Sequence, residues 1–423
     1  MKRGILLLLF AIVACRPQRP PPAFPLRLAV SGSLETVRPL ANVDNWTFVA
    51  NSLVFEPLVL LAEDNSLVPV LAARSERVSP TAIRLWLRDN ASFSDGSRVT
   101  LDDLQRSFEG TDLSATADGD SFIVATRDPK KPPELQLAFT FVHRKTAHGE
   151  IGTGPYVVVE QGATQIALHR RRQDQGRIGD ITVTSYGTPK EAFARTLKGD
   201  ADMLTEVDPR WIEFLEGVPR LRVVSLGVSP YAAIVAFNSR RLSRAERLRI
   251  AGALRNDSVR KVAYDEGCVA PDQSSSHEPP LTEPGRPLNV LAFPVLERLA
   301  LAARRALGRR GGDIVVKDFE SFIATMKAGD FDIATWRPQI SPAVMAARNW
   351  RTGAEYNIYG YSNARVDAAL DAHDWDAAQR ALDDDPPAVI ICRPTAVVVM
   401  DSRITNIANK RFWRNVVNWE VRQ

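Results

Sequence analysis

The segment from residue 288 to residue 316 predicts two strands joined by a helix. Leu288 to Phe293 and Ile314 to Val316 are short apolar runs bounded by turn residues, which is typical of strands. Between them, Val295 to Leu307 repeats apolar residues at helical spacing and is followed by glycines that end a helix. Two strands joined by a helix of this length lie parallel in one sheet. The segment therefore predicts an α/β domain.

The first residues of the chain are typical of an export signal. Two basic residues precede an apolar run from Ile5 to Ala14, which is about half of the roughly 20 residues that a membrane-spanning helix needs. Small residues before Cys15 fit a lipoprotein signal, in which the cysteine is acylated; a soluble export signal with an incidental cysteine is the alternative. We predict a signal peptide over residues 1–14, a lipid on Cys15 and a proline-rich tether over residues 15–25.

Length and charge narrow the class of protein. A chain of 423 residues exceeds one hydrophobic core and predicts two or more domains. The formal net charge is +4 and falls to about +2 without the two basic residues of the signal (4 − 2), so the charge does not favour nucleic acid as a partner. No other segment is long and apolar enough for a membrane span. We therefore expect a body outside the cytoplasm, in the periplasm or on the outer face of a membrane, held there by lipid.

The sequence carries no familiar catalytic or metal-binding motif. It has no Gly-x-Ser-x-Gly, no His-Glu-x-x-His, no phosphate-binding loop and no Cys-x-x-Cys. Among the five histidines, His143 and His148 are too far apart to share one helical face, so we do not expect a metal pair. We expect no enzyme activity, no cofactor and no metal site.

The string from Leu85 to Leu104 combines a strand, a tight turn and the start of a helix. Its first residues alternate at strand period, Asp95-Gly96 is a turn dipeptide, and Thr100 is placed to cap a helix whose first turn is acidic. As a sequence, it resembles a segment of the extracytoplasmic solute-binding proteins of family 5, which serve peptide, nickel and opine ABC importers.

Further strings resemble the same family and follow one another in the family's order. They are Phe55-Glu56-Pro57-Leu58-Val59, Val68-Pro69-Val70-Leu71-Ala72, Gly152-Thr153-Gly154-Pro155-Tyr156, Lys198-Gly199-Asp200-Ala201-Asp202-Met203, Phe237-Asn238-Ser239, a helix from Arg247 to Val262, Phe331 to Trp336, Tyr359 to Asp367, and Pro386 to Ile391. The resemblance therefore covers nearly the whole chain.

The resemblance implies an α/β, periplasmic-binding-protein-like fold of class II (cluster C), with two lobes, a small extra domain and a hinged ligand cleft. By this resemblance, residues 26–51, 152–240 and 395–423 form lobe I, residues 52–151 the small domain, and residues 241–394 lobe II. The implied function is a monomeric, lipid-anchored binding protein that captures a peptide-like or other small organic solute and delivers it to an ABC permease.

A divergent relative without a transport role, acting as a sensing or protein-interaction lipoprotein, is the alternative function. Two departures from the family pattern favour it. Arg255-Asn256-Asp257 replaces the usual Ala-Ile-Asp-Arg, and an aspartate that the oligopeptide binders carry after their Gly-Trp string is absent.

The residues after Trp336 bear on the ligand. In the oligopeptide binders that aspartate pairs with the amine of the peptide; here Gln339 stands near its place and Arg337 is added. A buried ammonium without a carboxylate partner costs several kcal/mol, which disfavours a free-amine peptide. Arg337 instead suits a carboxylate or phosphonate, and Trp336 a planar or apolar group. A solvent-facing Arg337 and a core Trp336 are the equal alternative.

Other positions complete the predicted ligand set and the cysteine chemistry. The additional ligand-binding candidates, each with an ordinary core or surface alternative, are Asn45, Trp46, Tyr156, Tyr231, Asn357 and Tyr359. Cys268 and Cys392 would meet an oxidising compartment after export, so one disulfide is an open prediction. Two buried thiols are its alternative, favoured by the apolar residues before Cys392.

Overall fold

The computed structural model describes residues 23–32, 34–39, 45–171, 178–205, 207, 211–215, 217–264, 267–271, 285–408 and 412–422. The predicted signal peptide and the lipid on Cys15 lie outside these residues, as does most of the predicted tether. Strand β1 begins at Phe24, inside the range predicted for the tether. Within the described residues, no helix is long and apolar enough to span a membrane.

Strands make up much of the described chain. They are β1 Phe24–Ser31, β2 Glu56–Pro57, β3 Val59–Leu61, β4 Leu67–Pro69, β5 Ala72–Ser79, β6 Ala82–Leu87, β7 Leu113–Asp118, β8 Ser121–Thr126, β9 Phe141–Thr146, β10 Gly149–Gly152, β11 Tyr156–Gln161, β12 Gln165–Arg170, β13 Ile178–Tyr186, β14 Met203–Leu204, β15 Leu221–Val228, β16 Ala233–Phe237, β17 Cys268–Val269, β18 Leu288–Ala292, β19 Gly311–Val316, β20 Ile333–Trp336, β21 Ala388–Asp401, β22 Ile404–Thr405 and β23 Glu420–Val421.

Helices cover the faces of the sheets. They are α1 Asn45–Val54, α2 Leu101–Ser107, α3 Pro133–Phe139, α4 Pro189–Lys198, α5 Arg244–Leu254, α6 Asp257–Tyr264, α7 Glu297–Ala306, α8 Phe319–Ala328, α9 Met345–Asn349, α10 Ala364–Asp371 and α11 Trp375–Asp384. A 3-10 segment, Phe412–Asn418, lies near the C-terminus.

One large sheet runs through two lobes in the order β11-β12-β13-β1-β14-β21-β16-β20-β18-β19, and β15 and β17 also pair with β21. The first lobe holds β1, β11 to β15 and the second half of β21. The second lobe holds β16, β18 to β20 and the first half of β21. A four-stranded sheet, β5-β6-β8-β7, belongs to a separate small domain. The structure is thus the mixed α/β, two-lobe fold that the sequence predicted.

The predicted strand, helix and strand near residue 300 are present. Strands β18 and β19 are parallel neighbours, and α7 connects them. The helix begins at Glu297, two residues later than predicted, because Pro294–Leu296 forms a 3-10 turn first. Helix α8 ends at Gly329, whose φ of 73° is the left-handed conformation that glycine adopts without steric cost.

The first lobe, the second lobe and the small domain each contain a main hydrophobic cluster. Alternate residues of β1, Leu26, Leu28 and Val30, join the core of the first lobe that α1 and the 3-10 segment also contact, while Ala29 faces a second cluster. The small domain has its own cluster, which draws on residues 58–142. Each part thus has a main hydrophobic cluster, while Phe55 and Phe141 of the predicted small domain pack in the cluster of the first lobe.

Strand β16 belongs to the second lobe. Its residues Ala233, Val235 and Phe237 enter one core of that lobe, and Ile234 and Ala236 enter the other. The sequence placed residues up to 240 in lobe I. We propose a boundary near residue 230 instead, because β16 pairs with β20 and with the first part of β21.

The predicted helix from Arg247 to Val262 is interrupted. Helix α5 ends at Leu254 and α6 begins at Asp257. The break lies at Arg255-Asn256-Asp257, the string that differs from the family pattern. The Oδ1 atom of Asn256 accepts a hydrogen bond from the backbone N–H of Ser258 at 2.9 Å. This local bond competes with helix continuation, which is typical of asparagine.

The glycines of Gly152-Thr153-Gly154 allow two backbones to touch. A Cβ atom on Gly154 would collide with the carbonyl oxygen of Leu53 at the end of α1. Gly154 N–H also donates to Val54 O at 2.9 Å. The string therefore packs the start of β11 directly against α1.

Helix α2 begins with the cap that the sequence predicted. Thr100 Oγ1 accepts from Asp103 N–H at 3.4 Å, and Asp103 Oδ2 accepts from Thr100 N–H at 2.8 Å. Both of these backbone N–H groups lack a partner inside the helix.

Thr100→Ala is expected to lower the free energy of unfolding by about 1 kcal/mol, because one N–H of α2 loses its acceptor. Chemical denaturation measures the change. Thr100→Ser keeps the oxygen and serves as the control, which we expect to lie within a few tenths of a kcal/mol of the unaltered protein. Equal losses in both variants would contradict the cap.

Candidate functional site

Two chain segments cross between the lobes. One is residues 229–232, which link β15 to β16, and the other is the middle of β21. Arg393 Nε donates to Ser229 O at 2.9 Å, and Ser229 N–H donates to Pro394 O at 2.9 Å. A few residues at the ends of elements are the usual location of a hinge between lobes. The region beside these crossings is therefore the candidate site.

Tyr231 lies on the first crossing and pairs with the predicted site residue Gln339. The two residues form an isolated antiparallel bridge. Next to it, Ala232 N–H donates to Pro338 O at 3.0 Å. Tyr231 as a whole residue is 38% exposed, more than the other aromatic residues of the predicted set whose side chains are described. The structure thus brings Tyr231 and residues 336–339 together.

The surroundings of Tyr231 are electropositive. Burial of its hydroxyl raises the pKa of Tyr231, and the guanidinium groups of Arg348 and Arg337 oppose that rise. Tyr264, at the end of α6, follows the same pattern: burial raises the pKa of its hydroxyl, and Arg337 and Arg298 oppose it. Among the described residues, no carboxylate contributes to either shift. The site therefore favours a negatively charged group.

Arg337 follows β20 directly and is half-buried. Within the part of the chain that the structure describes, its guanidinium has no hydrogen bond or ion pair. Arg348, by contrast, stacks over the rings of Phe139 at 4.3 Å and Tyr356 at 3.8 Å. A guanidinium that keeps its five donors available is suited to a carboxylate or a phosphonate.

Trp336 packs within the second lobe and is also half-buried. Its ring lies nearly parallel to those of Phe322, with centroids 5.5 Å apart, and Phe319, at 6.0 Å. Phe293 meets it edge-on at 5.9 Å. The side chain of Phe319 is 51% exposed, so the cluster reaches the surface. Trp336 therefore combines a packing role with an accessible aromatic edge.

Gln339 uses its amide to hold its own loop. Its Nε2 donates to Ser341 O at 3.0 Å, and its backbone oxygen accepts from Asn349 Nδ2 at 2.7 Å. A neutral side chain engaged in this way supplies no counter-charge to an ammonium group.

Two predicted site residues, Tyr156 and Tyr359, are fully buried and a third, Asn357, is partly buried, and we propose a ligand set without them. Tyr156 is fully buried in the first core, where its hydroxyl donates to Ile178 O at 3.4 Å and burial raises its pKa to about 12. Tyr359 is also fully buried, with its ring 5.2 Å from that of Trp350, and burial raises its pKa.

Asn357 is the third of these residues. Its Nδ2 donates to Arg351 O at 2.9 Å and Tyr361 O at 2.7 Å, and its Oδ1 accepts from Tyr361 N–H. The sequence does not distinguish these environments, because a polar or aromatic residue in a turn-rich string has the same local sequence in a core as in a cleft.

Asn45 and Trp46 open helix α1, and their side chains lie outside the description, so their roles stay predictions. Sequence reasoning missed Tyr264 and Arg348. Neither residue has a local signal, because each stands at or near the end of a helix whose position against Tyr231 is set by the tertiary fold. Among the described residues, no cluster of three His, Cys, Asp or Glu side chains could hold a metal ion.

The sulfur atoms of Cys268 and Cys392 are bonded, with the Cα atoms 5.6 Å apart. Both residues are buried, and β17 pairs with β21 beside the bond. The disulfide thus joins the end of the α6 region to β21, one residue before Arg393 at the crossing.

Neither a protein-family model nor a curated protein sequence matches the chain. Solved structures do match. The periplasmic binding protein DppA from Helicobacter pylori, in complex with the peptide STSA, has a TM-score of 0.78 and 16% identity, with 95% of this chain and 98% of that chain covered. The oligopeptide-binding protein AppA from Bacillus subtilis, in complex with a nonapeptide, has a TM-score of 0.77 and 14% identity, covering 96% and 100%.

NikA from Staphylococcus aureus, in complex with Ni(L-His)2, also matches. Its TM-score is 0.74 and its identity is 15%, with 91% of this chain and 96% of that chain covered. Three proteins with different bound molecules thus share one architecture with this chain over nearly their whole lengths. The chain has the two-lobe fold of the periplasmic solute-binding proteins.

Proposed function

We propose that this protein is the extracytoplasmic binding component of an ABC importer. It captures a small organic solute that bears an acidic group in the cleft beside the crossing strands, and it delivers that solute to a permease in the membrane. It works as a monomer, performs no covalent chemistry and is tethered by a lipid on Cys15. The molecules named with DppA, AppA and NikA support a binding role for this fold.

The export-type N-terminus and the disulfide support a location outside the cytoplasm. Disulfides persist in oxidising compartments such as the periplasm, and both cysteines of the body are used in one. A lipid anchor accords with this location, because a tethered binding protein stays near its permease.

Arg337 is the observation that carries the ligand class. Its guanidinium is unpaired within the described residues, next to an exposed Tyr231 and a second arginine, Arg348. A carboxylate would gain two parallel hydrogen bonds from this fork. A free ammonium group would instead meet like charge, with neutral Gln339 in the place of a counter-ion. The ligand is therefore acidic, with a blocked or absent amine.

The first experiment compares two synthetic dipeptides of the same side chains. One is N-acetylated with a free carboxylate, and the other has a free amine and an amidated C-terminus. The protein is produced without the signal and Cys15, and binding is measured by isothermal titration calorimetry. We expect the acetylated peptide to bind more tightly. Native mass spectrometry of the purified protein identifies any solute that it retains from the cell.

Arg337→Ala is expected to weaken binding of the acetylated dipeptide by about 10- to 100-fold, since hydrogen bonds to charged groups contribute about 1.5–3 kcal/mol. Titration calorimetry measures the loss. The matched control is Arg309→Ala, which removes the same charge from an exposed turn of the second lobe. Equal affinity of the two variants would refute the assignment of Arg337.

A sensing or protein-interaction role makes a different prediction. The purified protein would then carry no small molecule, and neither dipeptide nor a panel of organic acids would raise its melting temperature. Retention of a discrete solute, lost on unfolding and refolding, would exclude that alternative.

A further inference from the structure

A cavity lies away from the crossing strands, between the first lobe and the small domain. Its volume is about 290 Å³. The end of α1, the loop after β6, the turn before β11, the end of β12 and the 3-10 segment line it. None of Tyr231, Trp336, Arg337 and Gln339 takes part in this lining.

The lining is strongly cationic. Among the described residues it contains four arginines, Arg88, Arg170, Arg171 and Arg414, and one acidic residue, Glu56. Four positive charges and one negative charge give a net charge of three. Glu56 is already bound, since its Oε2 accepts from Arg88 Nη2 at 2.7 Å. The described lining thus carries more positive than negative charge, in a pocket that is partly open to solvent.

Arg170 is the most deeply buried of these arginines, with 4% of its surface exposed. Its Nη1 donates to Ile178 O at 2.8 Å, and its Nη2 lies 3.5 Å from Val417 O. Within the described residues, carbonyl oxygens are its only partners, and it forms no ion pair. Buried charges are normally paired with an opposite charge. An anion in the cavity would supply that charge.

Thr153 is an independent indication of a ligand. This residue lines the cavity and is 3% exposed, yet its Oγ1 has no hydrogen-bond partner within the described structure. Buried hydroxyl groups without a partner are uncommon, because burial removes their hydrogen bonds to water and nothing replaces these bonds. The Nε atom of Arg88 is also buried without a partner. Each of these atoms is almost closed to solvent, so either group would donate to an oxygen atom of an anion after a small side-chain rotation toward the cavity.

The cavity wall is held rigidly before any ligand arrives. Arg171 Nη1 donates to the carbonyl oxygens of Thr153 and Gly154, each at 3.0 Å, and its Nη2 donates to Phe93 O. These bonds fix the backbone of Thr153 against the loop of the small domain. Little ordering entropy is then lost on binding, which favours affinity.

We propose that this cavity binds a small anion that carries at least two negative charges. A water molecule takes about 30 Å³ of liquid volume, so the space suits roughly ten non-hydrogen atoms. Inorganic diphosphate matches this size and charge, and a tricarboxylate such as citrate is the organic counterpart. A bound anion would join the first lobe to the small domain through Arg170 and Arg88. The proposal does not depend on the solute in the cleft.

The test measures binding of inorganic diphosphate to the purified protein by titration calorimetry and by the shift in melting temperature. We expect one saturable site per chain and affinity that falls as salt rises, because the attraction is electrostatic. Thr153→Val keeps the side-chain shape and removes the unpartnered hydroxyl, so the fold persists. It is expected to weaken diphosphate binding by about 5- to 10-fold, the usual effect of one hydrogen bond.

Thr335→Val is the matched control. Thr335 is also fully buried, and its Oγ1 also has no partner within the described residues, but it lies on β20 in the second lobe. This variant should bind diphosphate as the unaltered protein does. Arg337→Ala tests whether the anion occupies the cleft instead.

Absence of saturable binding for both diphosphate and citrate would overturn the proposal. So would equal affinity of Thr153→Val and Thr335→Val, or loss of binding in Arg337→Ala alone, which would place the anion in the cleft. None of these results bears on whether the acetylated dipeptide binds, so the two proposals fail separately.

Discussion

Arg247→Met is expected to lower the free energy of unfolding by about 3–5 kcal/mol, because it breaks a buried ion pair and leaves one charge uncompensated. Arg247 is 6% exposed and forms an ion pair with Asp385. Its Nε also donates to Pro386 O at 3.0 Å, and its Nη1 to Leu242 O at 2.8 Å. One guanidinium thus joins α5 to the chain that enters β21. Methionine keeps the apolar contacts of the side chain but not its hydrogen bonds or its charge.

Arg365→Met is the matched control for Arg247. Arg365 forms an ion pair with Asp384, the residue beside Asp385, but both members of this pair are exposed, Arg365 at 69% and Asp384 at 54% of the side chain. Exposed pairs contribute about 0–1 kcal/mol, so this variant should be nearly neutral. Guanidinium chloride denaturation followed by tryptophan fluorescence compares the two variants. Similar midpoints for both would show that burial does not strengthen the role of Arg247.

Removal of the disulfide is the second change for which we expect a large loss of stability. Cys268 and Cys392 close a loop with a sequence separation of 124 residues, and a cross-link of that span restricts the unfolded chain strongly. The double variant Cys268→Ala and Cys392→Ala is expected to lose about 2–5 kcal/mol of stability. The loss is expected to affect the second lobe first, since β17 is only two residues long and is fixed to β21 by this bond.

Dithiothreitol provides the control for this prediction. It should lower the melting temperature of the unaltered protein and leave that of the double alanine variant unchanged, because alanine cannot be reduced. If dithiothreitol does not change the melting temperature of the unaltered protein, the two cysteines are not bonded in solution. Quantification of free thiols under denaturing conditions decides this point directly.

The sequence determined the local elements through contacts between near neighbours. The cap at Thr100, the glycine that ends α8 and the parallel pair β18 and β19 follow from residue types at fixed spacings. The strings that resemble the solute-binding family also indicated the two-lobe architecture. They mark turns and helix ends, and they follow one another in the order that this architecture requires.

The tertiary structure decided which side chains face a cleft, a core or each other. Tyr156 and Tyr359 have local sequences no less suited to a site than that of Tyr231, yet only Tyr231 is exposed. The disulfide, the boundary before β16 and the unpaired state of Arg337 and Thr153 likewise depend on residues far apart in the chain. Burial and pairing are properties of long-range contacts, whereas sequence periodicity reports only a residue's own strand or helix.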